Sequence, residues 1–297
     1  MDRRAEFPIL STMLGKRRLV YLDNAATTRL SRRALAAMLP FMEGEQGNPS
    51  SLHSYAREAR KALIPIDGPH QAGVTARELL VLASGKTAAQ LLADGEKYAD
   101  TSVEVALEKY LERMEKGEPL AYILGEWDFY GLKFHVTPDV LIPRDDTCAL
   151  TEIAIRQALF LDPNPRILDL CTGSGCIGIA IASRVKDAKV TLADLSREAL
   201  AVAKKNVVAH HMTGRVSCVQ ADAMDTPPAF LGQFDMIVSN PPYIDAKDME
   251  GLEVSVKDYE PHMALFGGND GLDFYRAITA NYRHNLKPGG YLCYEFG

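Results

Sequence analysis

Three groups of residues in this 297-residue chain have types and spacings that could do chemistry. The first is Asn240-Pro241-Pro242-Tyr243, directly after the apolar run Phe234–Ser239. Neither proline can donate to a β ladder, so the strand must stop there, leaving an Asn side chain and two proline carbonyls past the sheet edge. Held rigid, Asn240 Oδ1 and the Pro241 carbonyl could accept both N–H bonds of one planar –NH2 group. That is a grip for an amide or an exocyclic amine. The second group is the tight loop Cys171-Thr172-Gly173-Ser174-Gly175, which with Gly178 fits G-x-G-x-x-G between a strand and a helix. The third is a set of acids at successive strand ends: Asp169, Asp194 and Asp222, the last followed by Ala223.

Two cofactors compete for the glycine loop. A nicotinamide dinucleotide would seat its diphosphate on the helix N-terminus. S-adenosylmethionine (SAM) has no phosphate, and the loop would let the backbone approach its methionine and ribose. Asp194, 19 residues after Gly175, could accept from ribose hydroxyls in either reading. Asp169 suits the orientation of amide donors or the holding of an ammonium group, and Asp222 would lie at an adenine edge. Asn240–Tyr243 then favours SAM, because it offers a place for a nucleophile and no hydride acceptor.

Alternating strands and helices must position these groups. Strands are expected over Arg166–Cys171, Lys189–Ala193, Arg215–Gln220, Phe234–Ser239 and Gly290–Phe296. Helices are expected over Gly175–Arg184, Ser196–His210 and Gly271–Leu286. Such alternation gives a mainly parallel sheet with helices on both faces. Upstream, helical periodicity covers Ala76–Ala83, Thr87–Ala93 and Ser102–Lys116, with Val105, Leu107, Tyr110, Leu111 and Met114 on one face. Aromatic and β-branched runs at Glu126–Phe134 and Val136–Ile142 suggest a β-hairpin about Gly131. Trp127, Phe129, Tyr130 and Phe134 should pack against a domain. Residues 67–75, rich in breakers, read as a junction.

Charge divides the chain. Residues 1–66 carry 11 Lys/Arg against 6 Asp/Glu, and the remainder 22 against 33. An acidic body matches nucleic-acid phosphates poorly, so no direct nucleic-acid partner is expected. No apolar stretch reaches membrane-span length, and Arg3 and Arg4 are followed by no apolar h-region, so no secretory signal is expected. The five cysteines lack a framework spacing, and Cys171 and Cys176 are separated by four residues with no His beside them. They read as reduced thiols of a cytoplasmic protein, with no metal site.

Two resemblances follow from longer motifs. YLDNAATT, MLPFM and GNPSSLHSYAREARKA, within residues 19–62, resemble the start of the cysteine desulfurases. That family's cofactor lysine and sulfur-carrying cysteine loop have no counterpart, so neither pyridoxal phosphate nor desulfurase activity is expected. The segment reads as a fused fragment, whose helix near Ser54–Leu63 should fill a vacant place in the helical bundle. From about Thr75 onward the chain resembles the release-factor glutamine methyltransferases. The motifs are GEPLAYILGEWDFYGLKFHVTPDVLIPR, DLCTGSGCIGIAIA, SNPPYI, DYEPHMALFGGNDGLDFYR and LKPGGYLCYE.

This second resemblance implies an α/β fold of the class I SAM-dependent methyltransferase type, Rossmann-like, behind a small helical domain and a hairpin linker. The expected divisions are 1–66, a desulfurase-like segment; 67–125, a helical substrate-binding domain; 126–147, the linker; and 148–297, the methyltransferase domain. It implies that Asp169, Cys171–Gly175, Asp194, Asp222, Ala223 and Asn240 contact SAM. It further implies that Asn240, Pro241, Pro242 and Tyr243 hold the glutamine of a Gly-Gly-Gln motif in class 1 peptide-chain release factors. Departures are Asp145 where the family has Pro and Cys148 where it has Glu, a loss expected to weaken SAM binding, and Ala223 where a larger apolar or aromatic side chain is common. The chain also ends at Gly297, where the family continues into a helix and an antiparallel strand pair, so an unfinished sheet is expected. Rival readings are an adenine or cytosine amino-methyltransferase acting on nucleic acid, and a degenerate SAM-binding module.

Overall fold

The computed structural model describes residues 13–14, 17–18, 51–94, 100–161 and 163–296. The motifs YLDNAATT and MLPFM, and the first residues, Gly47–Ser50, of GNPSSLHSYAREARKA, lie outside the described residues. Strands β1 (Met13–Leu14) and β2 (Arg17–Arg18) pair antiparallel. The chain divides into two compact units, one ending at Glu108 and one beginning at Lys109.

The first unit is helical. Helix α1 (Leu52–Ser84) is capped by Ser51, whose hydroxyl accepts from Ser54 N at 3.3 Å. Leu52, Tyr55, Ala59 and Leu63 recur at helical spacing and are buried, and Tyr55 donates to Glu104 Oε2 at 3.1 Å. The segment near Ser54–Leu63 therefore lays an apolar face into its unit. The junction expected at 67–75 is narrower than its composition suggests. Only Gly68 leaves helical geometry (φ 75°, ψ 165°), and helix resumes at Pro69, a residue whose missing N–H costs nothing in a first turn. Gly85, left-handed at φ 64°, ends the helix by donating to Val81 O. Helices α2 (Ala88–Asp94) and α3 (Thr101–Glu115) follow, close to their expected bounds.

The second unit takes in the end of α3, then α4 (Leu120–Leu124), a short helix not expected from the sequence, and a hairpin of β3 (Glu126–Phe129) and β4 (Leu132–His135). Tyr130 and Gly131 turn it, both at positive φ (52° and 74°). Val136–Ile142 is not a strand. Thr137 and Asp139 close a local turn around Pro138 through a 2.9 Å hydrogen bond, which outweighs the β-branched composition. Phe129 and Phe134 are buried, and Tyr130 lies under Arg184 at 5.6 Å. Helix α5 (Thr147–Ala158), also not expected, leads into the sheet.

Five strands form that sheet: β5 (Arg166–Leu170), β6 (Lys189–Asp194), β7 (Val216–Gln220), β8 (Phe234–Ser239) and β9 (Leu286–Tyr294). Their order is β7-β6-β5-β8-β9 and every pairing is parallel. Helices α6 (Cys176–Arg184), α7 (Arg197–Ala209), α8 (Val254–Lys257) and α9 (Asp273–Tyr282) lie between strands in sequence. Side chains alternate across the sheet. Ile167, Val190, Leu192, Met236 and Val238 face a core with α6, α7 and the hairpin phenylalanines. Leu168, Leu170, Ala193 and Ile237 face a second core with Ile278 and Tyr282 of α9. Each such fully buried aliphatic side chain contributes about 2 kcal/mol. The bulge in β9 falls after Phe234↔Leu286, where Pro288 has no N–H to give the ladder.

The strand order reverses at β5, between β6 and β8. In open parallel sheets ligands bind at that switch point, beyond the carboxyl ends of the strands. The glycine loop follows β5 and Asn240–Tyr243 follows β8. Among the described residues no helix is long and apolar enough to cross a membrane.

Candidate active site

The glycine loop is held by side chains that sequence reading only partly anticipated. Asp169, at the penultimate position of β5, is fully buried. Its Oδ2 accepts from Thr172 Oγ1 at 2.6 Å and from Gly178 N at 2.9 Å, so it braces the loop against the first turn of α6. Thr172, Ser174 and Gly175 stand behind the loop surface, and Gly175 takes the left-handed conformation (φ 83°) that turns the chain into α6. Asn206 of α7, unassigned in the sequence reading, is wholly buried and serves two elements at once. Its Oδ1 accepts from His135 N at 2.7 Å, while Nδ2 donates to His135 O at 3.0 Å and Ser174 O at 2.8 Å. Asn206→Ala should strand those groups and lower stability by about 2–3 kcal/mol, measurable by urea denaturation.

Burial raises the Asp169 carboxyl to about 7, against the opposing bonds from Thr172 and Gly178. The folded state therefore holds a proton that the unfolded chain releases near pH 4. Between pH 4 and 7 this group costs stability as pH rises. In Asp169→Asn, Oδ1 can still accept both bonds, so the part of the ligand-free protein's melting-temperature decline due to this residue should vanish. An unaltered pH slope would show the proton is held elsewhere.

Beyond the strand ends lies an open cleft. Cys171, Gly173, Asp194, Asp222, Ala223, Asn240 and Pro242 all line it; Asp169, Thr172, Ser174, Gly175, Pro241 and Tyr243 support it from behind or beside. Cys171 takes a positive φ of 59°, and burial drives its thiol far up, so it is a neutral contact surface. Asp194 Oδ2 accepts from Gly173 N at 2.8 Å and Oδ1 from Ser196 N at 3.0 Å. Burial raises its carboxyl, and those backbone bonds oppose the rise. Asp222 Oδ1 accepts from Met224 N at 2.8 Å, and its carbonyl accepts from Tyr282.

The lining discriminates between the two cofactors. It contains Asp139, Asp194 and Asp222 and no Lys or Arg. Among the described residues neither Asp194 nor Asp222 makes a salt bridge. Three acids without a cation repel a diphosphate and suit a ligand with hydroxyls and positive charge. Asp194 has lone pairs to spare for a ribose diol, and Ala221, Ala223, Met263 and Phe274 offer apolar surface for a base. The residues present therefore fit SAM.

One cleft wall depends on Glu260, which the sequence reading did not single out. It is 5% exposed. It accepts from Ile142 N at 3.1 Å and pairs with Arg144. That ties the 140–144 segment, with Val140 and Leu141, to the segment carrying Pro261, Met263 and Ala264. Tyr122 of α4 donates to Val140 O at 2.7 Å and supports the same wall.

At the mouth, Asn240 Nδ2 donates to Thr147 Oγ1 at 3.3 Å. Glu295, just past β9, is half-buried, and its Oε2 has no hydrogen-bond partner. Burial raises that carboxyl and the nearby Asp146 adds to the rise, while the polar groups of Thr147 and Asn240 draw it down. Tyr243 is also shifted upward, chiefly by burial and then by Glu295. Behind Pro242–Tyr243 runs a second chain segment. Ile244 N donates to Leu265 O at 3.0 Å and Gly267 N to Ile244 O at 2.9 Å. The backbone approach is close: a Cβ on Gly267 would sit 2.6 Å from Tyr243 Cα and 2.7 Å from Pro242 O.

The family model described as "Methyltransferase small domain" matches residues 154–255, and that described as "PrmC N-terminal domain" matches residues 56–125. The second match begins inside the segment that resembles cysteine desulfurases. A release factor glutamine methyltransferase of Geobacter sulfurreducens is 40% identical over 77% of this chain and 78% of its own length. One from Clostridium acetobutylicum is 44% identical over 63% of this chain and 66% of that protein. A bifunctional methyltransferase of Rickettsia bellii is 36% identical over 75% of this chain and 44% of its own length.

Proposed function

Because the chain belongs to the release factor glutamine methyltransferase family, we propose that it transfers a methyl group from SAM to the side-chain nitrogen of the glutamine in the Gly-Gly-Gln motif of class 1 peptide-chain release factors, in the cytoplasm. The observation that carries this reading is the meeting of Asn240 and Pro242 with an acidic, cation-free cleft at the point where the sheet reverses its strand order. When bound, SAM supplies an electrophilic methyl group on a sulfonium.

The chain's own residues do the rest. A carboxamide nitrogen is a weak nucleophile because its lone pair is delocalised into the carbonyl. Asn240 Oδ1 and the Pro241 carbonyl accept its two N–H bonds and turn the nitrogen toward the cleft. Positioning of that kind supplies much of the rate, and acceptors aligned with the developing positive charge supply more. Tyr243 packs over the amide and keeps water from it. With SAM in the cleft, a C–N bond would form as the sulfonium's S–C bond broke, and the nitrogen, made acidic by alkylation, would lose one proton to water as the product leaves. Asp194 and Asp222 hold the cofactor's ribose and base ends, so the methyl end faces Asn240.

The test is incubation with methyl-labelled SAM and a purified class 1 release factor, with its Gly-Gly-Gln glutamine changed to alanine in a second arm and duplex DNA in a third. Label in the first arm alone is expected. Label in DNA and not in the release factor would make the chain a nucleic-acid amino-methyltransferase. Label in none would make it a SAM-binding module.

A further inference from the structure

Glu260 joins two segments of the cleft wall, and both run on to the Asn240–Tyr243 turn. The first segment lines the cleft with Val140 and Leu141. Its Ile142 N donates to Glu260 Oε2 at 3.1 Å, and its Arg144 guanidinium pairs with Oε1. Thr147 N then donates to Arg144 O at 3.2 Å, and the Thr147 hydroxyl accepts from Asn240 Nδ2 at 3.3 Å. The second segment follows Glu260 and lines the cleft with Pro261, Met263 and Ala264. A tight turn stiffens it: Ala264 N donates to Pro261 O at 2.8 Å and Leu265 N to His262 O at 3.1 Å. Leu265 O accepts from Ile244 N at 3.0 Å. The contacts therefore close a ring. Cleft-lining residues occupy two of its arcs, the amide grip a third, and one carboxylate stands at the junction.

Stability alone does not account for that carboxylate. Glu260 is 5% exposed, and replacing a buried ion pair by apolar packing is often neutral or stabilising. What apolar packing would not give is direction. Two acceptor oxygens on one planar group, one facing a backbone N–H and the other a guanidinium, place both donors at once. The seat of the carboxylate is held as well. Glu260 N donates to Val256 O at 3.0 Å, and the hydroxyl of neighbouring Tyr259 donates to Lys116 O at 2.9 Å.

We propose that Glu260 is a positioning residue that sets the place of Asn240 relative to the cofactor's wall. This rests on the reading of the cleft as the SAM site and of Asn240 as the grip for the substrate amide. Glu260 acts on two quantities together. It governs affinity for SAM through Val140, Leu141 and Met263, and transfer from bound SAM through Thr147 and Asn240.

Glu260→Gln tests this with little change of shape. An amide has one acceptor oxygen, so either Ile142 N or Arg144 loses its partner and faces an N–H instead. The Kd for SAM, measured by calorimetric titration without a release factor, should rise about tenfold. Single-turnover transfer at saturating SAM should fall by about 10²-fold. Arg144→Lys, at a side chain 37% exposed, is the milder lesion and should move both quantities the same way. If Glu260→Gln does not fold, Arg144→Lys decides, and the absence of either change overturns the proposal. Thr147→Val opens the ring at its other end, so transfer should fall while the Kd for SAM holds. The Glu260→Gln/Thr147→Val double variant should transfer no more slowly than Glu260→Gln, because both changes act through Asn240. The 15N–1H signal pair of the Asn240 side chain, identified as the pair lost in Asn240→Asp, should move in Glu260→Gln. Full transfer at saturating SAM, an unchanged Kd, additive losses or an unmoved pair would overturn the proposal. A raised Kd and a moved pair in a protein that labels no release factor would support the positioning role and refute the assigned substrate instead.

Discussion

Replacing Asn240 with alanine is expected to lower methyl transfer by about 10³-fold or more while leaving the affinity for SAM within a few-fold of its original value. Removal of one well-aligned polar group from a reacting centre costs about 10²–10³ in rate. Here the same change also loses the positioning of the nucleophile, which adds to it. The Pro241 carbonyl would remain and could hold one N–H, but a single acceptor leaves the amide free to rotate about that bond. SAM affinity should survive because Asp194, Asp222 and the Cys171–Gly175 loop are held by contacts that do not involve Asn240. Calorimetric titration with SAM beside a single-turnover transfer assay separates the two effects. Loss of SAM binding in the variant would mean that Asn240 belongs to the cofactor's site and that the glutamine is held elsewhere.

A second large effect is expected from Gly267→Ala, a change of one methyl group at a residue outside the cleft lining. The added carbon would meet Tyr243 Cα at 2.6 Å, Pro242 O at 2.7 Å and Tyr243 C at 2.9 Å. All three are backbone atoms, so no side chain can swing aside. Either the 265–268 segment or the Asn240–Tyr243 turn must shift, and the Ile244–Phe266 bridge couples them. A displacement approaching 1 Å in a positioning element costs about 10² in rate. Overpacking of this kind costs about 1–3 kcal/mol in stability, so the protein should remain folded at 25 °C with kcat lower by about 10²-fold. A variant with unchanged kcat would show that the second segment is no brace. Gly271 is a parallel case, with Tyr243 O at 2.3 Å from its added carbon.

The parts of this molecule that were legible in its sequence are those whose reason is local. The run Phe234–Ser239 stops because two prolines follow it, and the structure ends β8 at that residue. Ser196 reads as a helix cap from its neighbours alone, and it accepts from Ala199 N at 3.0 Å. The five parallel strands follow from alternation. What stayed hidden depends on distant partners. Asn206 meets His135 across 71 positions and Glu260 meets Ile142 across 118. In sequence each is an ordinary polar residue. Glu260 stands inside a motif that was recognised, yet nothing nearby tells that its charge is buried. Glu295 is similar: it follows an apolar strand, where an acid normally reads as the return to solvent. Local chemistry also misled, at residues 67–75 and again at Val136–Ile142. Val136–Ile142 has strand composition, but one turn about Pro138 outweighs it.

The bridge between Ile244 and Phe266 means that residues 245–265 leave the site and return to it at nearly the same point. Such a closed excursion behaves as a cassette. Lengthening one costs only a logarithmic entropy of closure, about 0.6 kcal/mol per doubling. Its near part, with Glu260 and Pro261, is bound to the cleft wall, but its far part, Lys247–Glu253, is held mainly by bonds to itself. New residues inserted at that far part would extend the rim without disturbing the Asn240–Tyr243 turn. The enzyme thus has a place where recognition of a protein surface can diverge while the methyl-transfer geometry is inherited intact.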